Sequence, residues 1–231
     1  MQTEATRNSK RPIRSYVIRS GRLTRSQRKA LDDYWGLYVL EFQNELFQLD
    51  SAFEQDNKLI VEIGFGMGDS LLEMAGDNPQ QNYLGIDVHK PGIGKILQGI
   101  ADRDLRNIKL VCHDAREVLS VCLQDDSVQQ VQIFFPDPWP KKRHHKRRLI
   151  QSEFVALLVN KLEVGGAIHL ATDWQAYAEH MMVVLQSNSQ LLNCEGEHCY
   201  WSNPVRPETK VENRGRELGH GVWDLLFAKR N

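Results

Sequence analysis

Val61-Glu-Ile-Gly-Phe-Gly-Met-Gly-Asp69 follows directly on an apolar run and leads into a helical one. Leu59–Ile63 predicts a strand and Ser70–Ala75 a helix. Between them Gly64, Gly66 and Gly68 let the backbone approach a ligand where a side chain would block it. A nucleotide-like ligand suits such a turn. The spacing is Gly-x-Gly-x-Gly rather than the Gly-x-Gly-x-x-Gly of dinucleotide sites, and Glu62 precedes the loop. A carboxylate there repels a pyrophosphate and attracts an ammonium, so S-adenosylmethionine, whose methionine end carries one, is favoured over NAD.

Outward from this loop, short apolar runs alternate with helical ones. Strands are expected at Leu59–Ile63, Tyr83–Asp87, Ile108–Cys112, Val131–Phe135 and Ala167–Ala171. Helices are expected at Ser70–Ala75, Gly94–Ala101, Ala115–Leu123, Glu153–Leu162 and Ala176–Leu185. This is the pattern of an α/β domain, a mostly parallel twisted sheet with helices on both faces. Val222–Ala228, rich in branched and aromatic residues, predicts an antiparallel C-terminal strand with a partner near His198–Trp201. Leu31–Phe53 has a helical period and predicts one or two helices ahead of the sheet. The chain of 231 residues is read as one domain over residues 31–231 behind a basic, flexible arm over residues 1–30.

Charge is segregated along the chain. The net charge is −1, yet Met1–Ala30 holds nine basic residues against the single acid Glu4, and Leu31–Asn57 holds seven acids with no Lys or Arg. A polyanion responds to the patch it touches rather than to the sum. No apolar stretch approaches the roughly 18–20 residues of a membrane span, which favours a cytoplasmic protein with no membrane partner. The four cysteines form no Cys-x-x-Cys pair, so neither a metal site nor a disulfide framework is expected.

The second and third strands each end in an acid. Asp87 stands about twenty residues beyond the glycine loop, where an acid accepts from ribose hydroxyls. Asp114 could meet an adenine amino group or could cap the following helix. With Glu62, three carboxylates then stand at the carboxyl ends of three successive strands, the edge at which open α/β sheets bind ligands. The fourth strand runs into Pro136-Asp-Pro-Trp-Pro-Lys-Lys-Arg-His-His-Lys-Arg-Arg148. Two prolines restrict the backbone around Asp137. Trp139 offers a flat face to an unstacked base, and six Lys or Arg with His144 and His145 could hold phosphates close by. Asp173, in Ala171-Thr-Asp-Trp174, could read a base or cap a helix. His169 is expected to be a core histidine.

These blocks resemble the bacterial tRNA (guanine-N7)-methyltransferase family. V-E-I-G-F-G-M-G, G-I-D-V-H-K-P-G, H-D-A-R-E-V-L, F-P-D-P-W-P-K-K-R-H-H-K-R-R, H-L-A-T-D-W and R-P-E-T-K-V-E-N-R-G match as ordered blocks over nearly all the chain beyond the arm. Asp87 departs from the pattern, since members commonly carry Glu there. The resemblance implies a class I methyltransferase-like fold and methyl transfer from S-adenosylmethionine to N7 of a guanine in the tRNA variable loop. It implies that Glu62, Gly64, Gly66, Asp87, Asp114 and Asp137 bind the cofactor, with Asp137 also catalytic. It further implies that Lys141, Asp173, Thr209, Lys210, Val211 and Glu212 contact substrate and that Arg143, His144, His145, Lys146, Arg147 and Arg148 face RNA. A monomer or weak homodimer is expected. The rival reading is an amino methyltransferase acting on adenine or cytosine, because D-P-W-P is similar to the D-P-P-Y type of motif.

Overall fold

The computed structural model describes residues 14–17, 21–217 and 219–230. Ahead of the sheet lie α1 (Arg25–Tyr38) and the single turn α2 (Leu49–Ala52). α1 opens with a capping box. Thr24 accepts from the Gln27 backbone N–H at 3.2 Å, and the Gln27 side chain accepts from the Thr24 N–H at 2.9 Å. This corrects the expected arm at its C-terminal end, since residues 25–30 form the first turns of a packed helix and Ala30 is fully buried. The cause lies in α4 (Lys90–Asp102), where a Cβ on Gly94 would come within 2.8 Å of the Gln27 carbonyl, so only glycine admits the close approach of the two helices. Residues 1–13 and 18–20 of the expected arm lie outside the described residues.

β1 (Lys58–Ile63) enters the middle of the sheet and is buried along almost its whole length, as a strand covered on both faces must be. From it the chain passes through α3 (Asp69–Asp77), β2 (Gln81–Ile86) and α4 to β3 (Ile108–Val111). It then crosses back through α5 (Ala115–Glu117) and a π-helical turn, Val118–Cys122, to β4 (Val128–Phe134) on the other side of β1. A 3₁₀ helix, Lys142–Arg147, and α6 (Ser152–Lys161) lead to β5 (Leu162–Thr172), and α7 (Gln175–Gln186) leads to β6 (Leu191–Asn193). α8 (Lys210–Glu217) and β7 (Trp223–Lys229) end the fold. Among the described residues the strand order is β3-β2-β1-β4-β5-β7-β6, with β7 antiparallel to both neighbours and the other pairings parallel.

Two expectations are corrected. β5 begins at Leu162, five residues early, because Gly165 (φ +77°) and Gly166 carry the strand on where the sequence suggests a turn. The outer partner of β7 is β6, with Leu192 opposite Ala228, and not His198–Trp201. Gly196 and His198 have positive φ values of 102° and 58°, so that segment turns instead of extending, and it adds one bond, Trp201 N–H to Asp224 O at 2.8 Å.

One core lies between the sheet and α6 and α7, around Phe154, Leu158 and Tyr177; the other lies between the sheet and α1, α3 and α4, around Ile93, Leu97 and Tyr83. Among the described residues no helix is long and apolar enough to cross a membrane. Gly94→Ala should drive α1 from α4 at a cost of about 1–3 kcal/mol, read by calorimetry as a midpoint several degrees lower. An unchanged midpoint would mean that the contact is not tight.

Candidate active site

The carboxyl ends of β1, β2, β3 and β4 surround a cavity of about 460 Å³ whose walls include Gly64, Gly66, Asp87, Asp114 and Asp137. These are the sequence-predicted residues that the fold brings together. Gly64, Gly66 and Gly68 all have φ between 60° and 80°, the left-handed region that favours glycine. The loop is pinned by the Asp87 carboxylate, which accepts the Gly66 N–H and the His89 N–H, each at 2.9 Å. Burial raises the Asp87 pKa, and those two N–H groups oppose the rise. From the far side α4 presses Gly92 against the loop so closely that a Cβ there would be 1.9 Å from the Gly66 carbonyl oxygen.

Glu62 lies beneath the glycine loop rather than in the cavity wall. It is 2% exposed, and its Oε2 has no hydrogen-bond partner. Burial, and then the neighbouring Asp87 charge, push its pKa up to about 8, against a hydrogen bond from Ser70. Asp114 takes the capping role and also lines the cavity. Its Oδ1 caps α5 through the Arg116 N–H at 2.9 Å, while the side chain stands in the cavity wall. It also bonds to the hydroxyl of Tyr16, whose pKa is pushed up to about 12 by burial and by Asp114.

Asp137 is held by the backbone on either side of it. Phe135 N–H makes the last ladder bond, to Ala171 O at 2.8 Å, and Phe135 and Trp139 then take positive φ of 52° and 44°, costly for side chains of this size. Arg148 holds the turn in place. Its Nε donates to Pro138 O at 3.0 Å, a terminal nitrogen reaches Ala176 O at 3.4 Å, and the guanidinium stacks 4.8 Å from the Tyr177 ring. The expectation that Arg148 faces RNA is therefore corrected, because it is 3% exposed and committed to the turn. Lys141, Lys142, Arg143 and Lys146 are exposed on or beside the 3₁₀ helix, with His144, His145 and Arg147 partly so. Trp139 does not present an open face. Arg147 lies over it at 4.1 Å, and its indole N–H donates to Ser15 O at 3.0 Å. Ser15, Tyr16 and Val17 close that side of the cavity.

The remaining expected residues lie farther along the rim. Asp173 does not cap α7, whose N-cap residue is Trp174 and which has no side-chain cap; it stands 3.7 Å from His220 in a separate depression with Trp174 and Trp223. Thr209 accepts from the Glu212 N–H at 3.1 Å, Lys210 reaches Asp69 at 2.8 Å beside the glycine loop, and Val211 is exposed. Glu212 is buried against Arg206, which also pairs with Asp224 through two bonds of 2.7 and 2.8 Å. Asp224 in turn bonds His169 at 2.8 Å. Burial opposes charge on Asp224, but Arg206 and His169 more than offset it, and its pKa falls. His169 is a satisfied core histidine, its pKa lowered by burial.

Sequence reasoning missed Tyr16, Arg206 and Asp224. An acid inside the apolar stretch Trp223–Phe227 is the one local sign that a buried cation must meet it.

The family described as "Putative methyltransferase" matches residues 56–225. A Pasteurella multocida protein named tRNA (guanine-N(7)-)-methyltransferase is 49% identical over 96% of this chain and 87% of its own length. The chain belongs to the tRNA (guanine-N7-)-methyltransferase family. A second family member, from Serratia proteamaculans, is 51% identical over 95% of this chain and 92% of its own length. Solved structures share the family's fold. The 16S rRNA methyltransferase KamB superposes with a TM-score of 0.57 at 15% identity, covering 81% of this chain and 95% of that one. The aminoglycoside resistance methyltransferase NpmB1 gives 0.53 at 15%, over 80% and 94%. The fold is that of a class I methyltransferase.

Because the folded protein holds a proton on Glu62 up to about pH 8 and an unfolded chain only to about 4.5, folding is opposed progressively as pH rises between those values. Glu62→Gln should therefore gain stability relative to the parent between pH 5 and 9. A midpoint difference that stays flat across that range would contradict the burial argument.

Proposed function

We propose that this chain transfers a methyl group from S-adenosylmethionine to N7 of a guanine in the tRNA variable loop. The names of the family members support the reaction class and the tRNA substrate. The observation that carries the reading is the cavity itself, which joins the glycine loop, Asp87 and Asp114 to Asp137, with a cationic helix starting five residues beyond that acid. The donor set fits the cofactor. Glu62 has an unpartnered buried oxygen for an ammonium, Asp87 retains lone pairs for ribose hydroxyls, and the volume lies within the roughly 300–1,000 Å³ of ligand sites. When bound, S-adenosylmethionine supplies an electrophilic methyl group on a sulfonium.

The protein's own part is positioning. N7 of neutral guanine carries a lone pair and no proton, so Asp137 has no proton to remove at that atom. Its carboxylate can instead accept from guanine N1–H and the exocyclic amine, which selects guanine over adenine and orients it. Placement of this kind contributes roughly 7–11 kcal/mol to rate enhancement. An amino methyltransferase would need a proton acceptor at the reacting nitrogen, and the relatives' names do not favour it. Lys141, Lys142, Arg143 and Lys146 hold the phosphate backbone beside the base, and Thr209, Lys210 and Val211 approach the glycine loop from α8, whereas Glu212, expected to contact substrate, is buried against Arg206 and does not face it. A tRNA substrate implies a cytoplasmic setting, and the protein acts as a monomer or weak homodimer.

Asp137→Ala should reduce transfer to unmodified tRNA at least about a hundredfold with the unfolding midpoint retained, scored by cleavage specific for 7-methylguanosine; near-normal turnover would sink the role. Neutralising Lys141, Lys142 and Arg143 together should lower the slope of log affinity against log salt by about 2–3. An unaltered slope would remove this run from the RNA interface. Arg148 is left intact in that experiment because it supports the turn.

A further inference from the structure

Glu62 and Gln132 share one rung of the sheet. They are paired in register between the parallel strands β1 and β4, so both side chains leave the same face, with their strands about 4.8 Å apart. Both are buried, at 2% and 6% exposure. Three buried side-chain atoms lack a hydrogen-bond partner among the described residues, and two of them are Glu62 Oε2 and Gln132 Oε1. The third, Gln129 Oε1, lies near the other end of β4, at a register irregularity against β5. Two adjacent unpaired acceptors under a glycine loop are expensive unless a donor comes between them.

We infer that Gln132 is a positioning residue for the cofactor pocket: the two side chains share no hydrogen bond in this structure, and with S-adenosylmethionine bound the Gln132 amide turns to the Glu62 carboxyl and keeps it aimed at the ammonium end. This rests on the cofactor reading above. A primary amide suits the task because it offers both kinds of group. Its Nε2–H can donate to the ionised acid, and its Oε1 can accept from the protonated acid. The other groups near Glu62 are already engaged or unfavourable. Asp87 repels it, Ser70 already donates to it, and Tyr83 couples to it unfavourably from β2. Beyond Gln132 in the same row, His169 of β5 is taken up by Asp224.

The test is calorimetric titration with S-adenosylmethionine, alongside steady-state kinetics for tRNA. Gln132→Met, close to the parent in volume, should weaken cofactor binding about tenfold while KM for tRNA stays within about twofold. Glu62→Gln should weaken it as well, and the double variant should lose no more than Glu62→Gln alone, since Gln132 acts through that acid. Should Gln132→Met fail to fold, Gln132→Asn, which keeps the amide but withdraws it by a methylene, should show the same loss. Unchanged cofactor affinity in a folded variant, or losses that add in the double variant, would overturn the inference. A parent protein that does not bind S-adenosylmethionine would instead overturn the cofactor reading.

Discussion

The site depends on the divergence of two neighbours at the centre of the sheet. β1 sends the chain outward to β2 and β3, and β4 sends it outward to β5, so the chain leaves the carboxyl ends of these two neighbours in opposite directions. The glycine loop and the proline-flanked turn meet over those ends. Each is a backbone conformation that would relax if left alone, and each is held from outside: the first by Asp87 and Gly92, the second by Arg148. Strain at the two turns is compatible with a stable fold because the strands beneath are buried on both faces.

What could be read from the sequence was local. The glycine loop, the acids at strand ends and the prolines around Asp137 are each a few adjacent residues whose chemistry implies their geometry, and apart from Glu62, which lies beneath the loop, they contribute to the wall of one cavity. Readings that depended on what a residue meets across the fold fared less well. Arg148 looks like one more member of a basic run, and only its distance to Pro138 and Tyr177 shows that it is internal. The start of α1 was hidden for the same reason. Its charged face resembles a loose arm, whereas the contact that orders it is with Gly94, some seventy residues later.

Burying Arg206, Asp224, Glu212 and His169 together is not an economical way to gain stability, since an apolar cluster of equal volume would often do as well. Its effect is geometric. The chain connects Glu212 of α8 through Arg206 to β7 and then to β5, so the helix that carries Lys210 to Asp69 has a fixed height above the sheet. Arg206 is the member the others depend on, since removing it would take the guanidinium away from two buried acids, Asp224 and Glu212.

The bond from Arg148 back to Pro138 closes residues 138–148 into a covalent and hydrogen-bonded ring. A polyanion meeting its outward cations therefore encounters a rigid platform rather than a tether that must first be immobilised. Little conformational entropy is left to lose on docking, so affinity there should reflect charge placement more than chain ordering.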